Sequence, residues 1–353
     1  MWYDLIISLI SYQYRIYPNH SQCQSQINHF GCVRWVYNRY LTVADDYYEK
    51  TGKSLRCNDF IVQLVKLKKE YPWLKNVNSQ SLQMAARNAD RAFVNFFEKR
   101  AKHPRFKSKH NGRQSFQCPQ HCRVLFPSVG TKGHIVLPKI GPIKAILHRR
   151  FSGMVKTVTI VREPSGKYYA SVLVDDAQPD VAPDTIDFER TAGIDAGIKT
   201  AFTIVSEQGT EKITNPSFLK KQSELLKKQQ KRLSRCQRTV TVKENDQGEK
   251  IREVSVSRHY EKVKNQLART HEKIRHQRKD WINQVTRRLV NDSQVTTYVV
   301  EDLNLKGMVK NHHLARAISD VGIGNFYRTL QYKLKAVGKN LVVVGRWYPS
   351  SKT

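Results

Sequence analysis

Gly193-Ile194-Asp195-Ala196-Gly197-Ile198-Lys199 is the stretch on which the fold of this chain turns. A short apolar run closed by a glycine turn reads as a strand, and this one carries an acid. Tyr298-Val299-Val300-Glu301-Asp302-Leu303-Asn304 has the same character. A carboxylate on a buried strand is rare unless it is paired or binds a metal. Two such acids in a chain otherwise rich in cations suit an enzyme that grips a polyanion and cuts it with bound cations.

Around Asp195, the segments 191–196, 200–206 and 211–214 read as three strands. Residues 216–238 read as one helix with Leu219, Leu226 and Leu233 seven apart, and 257–291 as a second, long helix capped by Ser257. The segments 239–242 and 253–256 alternate around Asn245-Asp246-Gln247-Gly248, which predicts an inserted hairpin over 239–256. A strand at 298–303, a helix at 314–337 bent near Gly322 and Gly324, and a strand at 341–344 complete this part.

Further upstream, three helical patterns cover about 21–101, with Ser21, Asn58 and Ser79 as candidate caps. Lys102 to Arg123 reads as a basic loop that interleaves Phe106 and Phe116 as stacking platforms. Short strands follow, including a hairpin over 155–162 and 168–175, with 12–17 as an extra strand. The fold class expected is therefore α+β and multi-domain.

The chain has 353 residues, 61 Lys plus Arg and 30 Asp plus Glu, a net charge of +31. That excess points to a nucleic-acid partner. It is clustered: Lys99 to Arg123 holds eight Lys/Arg and no acid, and Lys212 to Val290 holds 22 against eight acids. Lys102, Arg105, Lys107, Lys109 and Arg113 in the first cluster, and Lys227, Lys228, Lys231, Arg232, Arg278 and Lys279 in the second, are the candidate phosphate contacts. Six scattered cysteines suggest no disulfide framework, and a reducing cytoplasm is the expected location. Met1 to Ser11 is apolar but too short to span a membrane. Cys118-Pro119-Gln120-His121-Cys122 lacks the second ligand pair that a tetrahedral zinc site needs, so no zinc is expected. Neither a membrane nor a small-molecule substrate is expected as a partner.

Several short strings occur in one order: Tyr14-Arg-Ile-Tyr-Pro18, Gly193-Ile-Asp-Ala-Gly197, His276-Gln-Arg-Lys279, Glu301-Asp-Leu-Asn304, Lys306-Gly-Met308, Leu314-Ala-Arg-Ala-Ile-Ser-Asp320, Gln331-Tyr-Lys333 and Pro349-Ser-Ser-Lys-Thr353. Together they resemble TnpB, the OrfB-type accessory transposase of bacterial insertion sequences. The resemblance spans about 12–353 and implies an RNA-guided DNA endonuclease with a RuvC-type, RNase H-like domain. It implies a helical recognition lobe at 21–114 with a helix-turn-helix-like start, and a wedge-like barrel from 12–20 plus 115–185. An incomplete RuvC-like domain at 186–353 follows, with a helical hairpin at 216–291; residues 1–11 form an N-terminal extension. The implied partners are a guide RNA from the element's end and a double-stranded DNA target.

Asp195 matches the first RuvC acid and Glu301 the second, which implies Mg²⁺, or alternatively Mn²⁺, at these two residues. In the family a zinc ribbon and a third acid follow the Pro-Ser-Ser-Lys-Thr string, whereas this sequence stops there. The expectation is an incomplete site with impaired cleavage. The alternatives are a nuclease-dead RNA-guided DNA-binding protein or an inert remnant. Asp302 and Asp320 are the nearby acids that could substitute, although Asp302 points to the opposite face of a regular strand from Glu301.

Overall fold

The computed structural model describes residues 7–110, 112–179, 181–236, 238–244 and 250–345. Most of the expected N-terminal extension, the turn at 245–248 and the string at 349–353 lie outside them. The chain divides into two compact units, Met1–Pro179 and Asp180–Thr353.

In the first unit, β1 (Ile7–Tyr17) leads into α1 (His20–Thr51), followed by α2 (Cys57–Glu70), a 3₁₀ turn at Pro72–Asn76 and α3 (Ser79–Phe97). Then come β2 (Gln114–Cys118), β3 (Arg123–Leu125), β4 (Lys132–Leu137), β5 (Gly141–Ile146), β6 (Met154–Arg162) and β7 (Tyr168–Pro179). The strands form one sheet in the order β2-β6-β7-β1-β5-β4-β3, antiparallel throughout. Long-range pairing places β1 at its centre, between β5 and β7.

The cap of α1 is Asn19, two residues earlier than Ser21. Its side chain accepts from Gln22 N–H at 2.9 Å, and the Gln22 side chain accepts from Asn19 N–H at 3.0 Å. This reciprocal box satisfies two orphan donors, which a lone serine cannot do. Asn78, rather than Ser79, caps α3, and Arg56 stands at the α2 cap position without a side-chain bond. The expected lobe starts with one unbroken helix of 32 residues, closed by Gly52 at φ 67°, and a short turn then leads to α2. Phe116 is no stacking platform. It lies on β2 at 3% exposure, with its ring 4.8 Å from His29 and 5.3 Å from Phe30. It ties helices and sheet into one core, and the basic run is therefore a strand from Gln114 rather than a loop to Arg123.

The second unit begins with β8 (Thr191–Ala196), β9 (Thr200–Ser206) and β10 (Gly209–Thr214), followed by α4 (Phe218–Lys221) and α5 (Ser223–Ser234). β11 (Arg238–Glu244) and β12 (Lys250–Val256) pair as a separate antiparallel ribbon. α6 (Arg258–Asn291), β13 (Thr297–Glu301), α7 (Leu305–Met308), α8 (His312–Val321), α9 (Ile323–Lys335) and β14 (Asn340–Val344) follow. The main sheet runs β10-β9-β8-β13-β14. β8, β13 and β14 are parallel, and β9 and β10 are antiparallel extensions.

The buried face of that sheet carries Ala192, Ile194, Phe202, Tyr298 and Val300. α6 and α9 supply its cover, with Phe326 stacked on Phe202 at 3.7 Å and Trp281 at 5.9 Å. Each such fully buried side chain is worth about 1.5–3 kcal/mol relative to exposure. The single helices expected at 216–238 and 314–337 are each broken in two. The second break is at Gly322, φ 74°, where a Cβ would come within 2.9 Å of Arg278 Cδ. Only glycine meets both the positive φ and the close approach. Among the described residues, no helix is long and apolar enough to cross a membrane.

Candidate active site

Asp195 and Glu301 come together because β8 and β13 are adjacent and parallel. Ala192 pairs with Tyr298 and Ile194 with Val300, all four buried, and the two acids are the next residue along each strand. Side chains alternate along a strand, so both acids turn to the face opposite that core. Neighbouring strands lie about 4.8 Å apart. The row continues with Thr203 of β9 beside Asp195 and Val344 of β14 beside Glu301.

The premise that these acids are buried needs correction. Asp195 is exposed and Glu301 half-buried. Neither carboxylate makes a hydrogen bond or ion pair with a described residue. Two unneutralised carboxylates on neighbouring strands repel each other unless a cation lies between them.

Tyr327 of α9 senses both charges. Burial, and then the charges of Asp195 and Glu301, push its phenol well above the ordinary value of 10.0. Its Oη is buried and has no hydrogen-bond partner among the described residues. The donor set is hard carboxylate oxygen, which suits Mg²⁺ or Mn²⁺, ions that commonly bind through one or two carboxylates and complete their shell with water and substrate oxygens. Among the described residues, no group of three or more His, Cys, Asp or Glu is placed to hold a metal ion.

Asp320 is not a substitute ligand. It is 5% exposed and belongs to a closed network. Its oxygens accept from Leu219 N–H at 2.9 and 3.0 Å, from Lys220 N–H at 3.1 Å and from Arg278 Nη2 at 3.2 Å. Arg278 Nε also donates to the Asp320 carbonyl at 2.8 Å. Arg278 is thereby withdrawn from the expected set of free phosphate contacts. Asp302 lies one residue past β13 and is exposed, with its N–H donated to Val344 O at 3.1 Å.

The other candidate cations divide similarly. Lys228, Lys231 and Arg232 are exposed and line a cleft of about 510 Å³ with Arg235 and His259. Arg235 and His259 were missed by the sequence reading. The spacing 228, 231/232, 235 puts the α5 cations and the C-cap residue Arg235 on one helix face and could have revealed Arg235. Lys227 pairs with Glu224 at 2.9 Å, and Lys279 is exposed on α6. In the first unit, Lys102, Arg105 and Lys109 are exposed, Arg113 lies 3.4 Å from buried Glu163, and the Lys107 ammonium sits 3.9 Å over the Tyr37 ring.

The family model described as "Probable transposase" (OrfB, IS605 type) matches residues 171–312, and an associated helix-turn-helix model matches 8–53. A Streptomyces pristinaespiralis protein named "Putative RNA-guided DNA endonuclease" is 33% identical over 97% of this chain and 79% of its own length. The Escherichia coli K12 protein InsQ, named in the same words, is 27% identical over 98% of this chain and 82% of its own. A Cas12f1 chain, solved by cryo-EM with its single-guide RNA and target DNA, shares the fold. Its TM-score is 0.52 at 14% identity, covering 92% of this chain and 73% of that one.

Proposed function

The chain belongs to the OrfB family of insertion-sequence transposases, and from this premise we propose that it is an RNA-guided DNA endonuclease of the TnpB type, with Asp195 and Glu301 as its cutting pair. The observation that carries the reading is the pairing of β8 with β13, which sets two carboxylates side by side on an open face of the sheet.

In this reading the five-stranded sheet with α6 and α9 is the RNase H-like nuclease domain. The seven-stranded sheet corresponds to the wedge, and α1 to α3 to the recognition lobe. Asp195 and Glu301 would hold Mg²⁺ or Mn²⁺. Bound there, the cations would activate water and steady the leaving oxygen. The protein's own part is positional. The strands fix the acids, and the open face admits a phosphodiester. Lys228, Lys231, Arg232 and Arg235 attract the polyanion without demanding a base sequence.

The test is cleavage of a matched duplex by purified protein, Mg²⁺ and an RNA transcribed from the end of its element. Guide-dependent cutting is expected. Asp195→Ala and Glu301→Ala should each abolish it while RNA binding persists. Cutting that survives in both variants would overturn the assignment.

A further inference from the structure

A cavity of about 320 Å³ lies within the first unit, between α1 and the C-terminal end of α3. That is at the lower end of the about 300–1,000 Å³ range of small-molecule sites. Its walls are aromatic. Phe93 and Phe97 stack on each other with centroids 6.3 Å apart, and Tyr40 packs 6.4 Å from Phe93. Phe97 remains 54% exposed at the rim.

Two carboxylates interrupt this apolar lining. Asp90 Oδ1 accepts from Tyr40 Oη at 2.8 Å, leaving Oδ2 without a hydrogen bond among the described residues. Asp45 Oδ1 lies 3.6 Å from His103 Nε2, and both side chains are partly exposed. The loop after α3 turns back at Lys99, φ 58°, so that His103 packs edge-on against Phe93 and Phe96 at 5.5 and 5.2 Å. Arg100, Lys102 and Arg105 lie on that same loop.

Stacking faces, carboxylate acceptors and cations on the adjoining loop, of which Arg100 already faces Glu98, are the three complements of a single nucleotide. A planar heterocycle would take the aromatic walls, amino hydrogens the carboxylates, and flanking phosphates the loop cations. We propose that this cavity holds one unpaired nucleobase bearing an exocyclic amino group, extruded from a nucleic-acid strand bound by the first unit. The proposal rests on the nucleic-acid-binding part of the function above and is independent of the cutting pair.

The shared chemistry could come from RNA or DNA, so the test uses both. Short strands carry a single 2-aminopurine flanked by abasic sites. Their affinity for the full-length protein is compared with that of all-abasic strands. Binding should quench the 2-aminopurine emission, and the base should tighten binding about tenfold in at least one strand type. Phe97→Ala and Asp45→Ala, both at partly exposed positions, should each remove most of that gain. Adenine should outbind hypoxanthine at the same position, because the amino group is replaced by a carbonyl.

Equal affinity of base-bearing and abasic strands, in RNA and DNA alike, would overturn the pocket. If the abasic strands still bound with steep salt dependence, nucleic-acid binding would stand without it. If no strand bound, both would fall.

Discussion

The second unit treats its acids in two opposite ways. Asp320 is buried and saturated, held by the N-terminal amides of α4 and by the Arg278 guanidinium. Asp195 and Glu301 are adjacent, open, and unpartnered among the described residues. A carboxylate in the first setting fastens distant elements together and has no lone pair to spare. Carboxylates in the second setting add repulsion to the fold and repay it only when a cation arrives. The same residue type thus reads as structure or as site from its partners alone.

Substitution should separate the two. The largest effect expected is on chemistry: Asp195→Ala should lower guide-dependent cleavage by at least about 10⁴-fold. Its thermal or denaturant midpoint should be unchanged or higher, because a like-charge contact is relieved. A large loss of stability in Asp195→Ala would erase the contrast.

Next in size, Asp320→Ala should destabilise the second unit by about 3–5 kcal/mol in equilibrium unfolding, because it strands Arg278 and two amides. A cost below about 1 kcal/mol would show that the network is ornamental. Tyr327→Phe sharpens the boundary between the settings. Removing a buried hydroxyl with no partner should leave stability the same or raise it by about 1 kcal/mol. A loss of that size would mean that Oη bonds the acids in solution.

The smallest effect lies in the first unit. His29 is 1% exposed. Its Nδ1–H donates to Ser25 O at 2.7 Å, and its Nε2 accepts from Asn78 N–H at 3.1 Å. Burial holds its pKa below the ordinary 6.5. Protonation would set a ring N–H against the Asn78 N–H. The folded value is lowered, so the unfolded chain binds more protons and stability should fall as pH drops below 6.5. Unfolding curves taken down the pH scale should show that drop, and His29→Gln should flatten it.

Much of this was legible in sequence where the signal is local. The strands at 191–196, 200–206 and 341–344, and the long helix after Ser257, follow from apolar spacing and caps. The two acids stood out because strands of that composition rarely carry them, and the ordered strings pointed to a family. Misreadings arose where short and long range compete. Ser21 looked like a cap, but Asn19 wins through a reciprocal bond to Gln22. Phe116 sat in a basic run, yet its ring meets α1, more than 80 residues away in sequence. Arg278 lies in a basic helix, and nothing near it in sequence announces Asp320 as its partner. Tyr327 gave no signal at all, since its burial, with an unpartnered hydroxyl, exists only once α9 has packed on the sheet.

Direct titration of the full-length protein with Mn²⁺, followed by electron paramagnetic resonance or calorimetry, asks the question without recourse to activity. If Asp195 and Glu301 form an open cation site, the wild type binds Mn²⁺ and Mg²⁺ competes. Asp195→Asn and Glu301→Gln then each weaken binding by at least about 10–100-fold, the cost of losing even an outer-shell partner, and Asp320→Asn leaves it intact. Equal Mn²⁺ binding by the wild type and the Asp195→Asn/Glu301→Gln double variant would contradict the assignment.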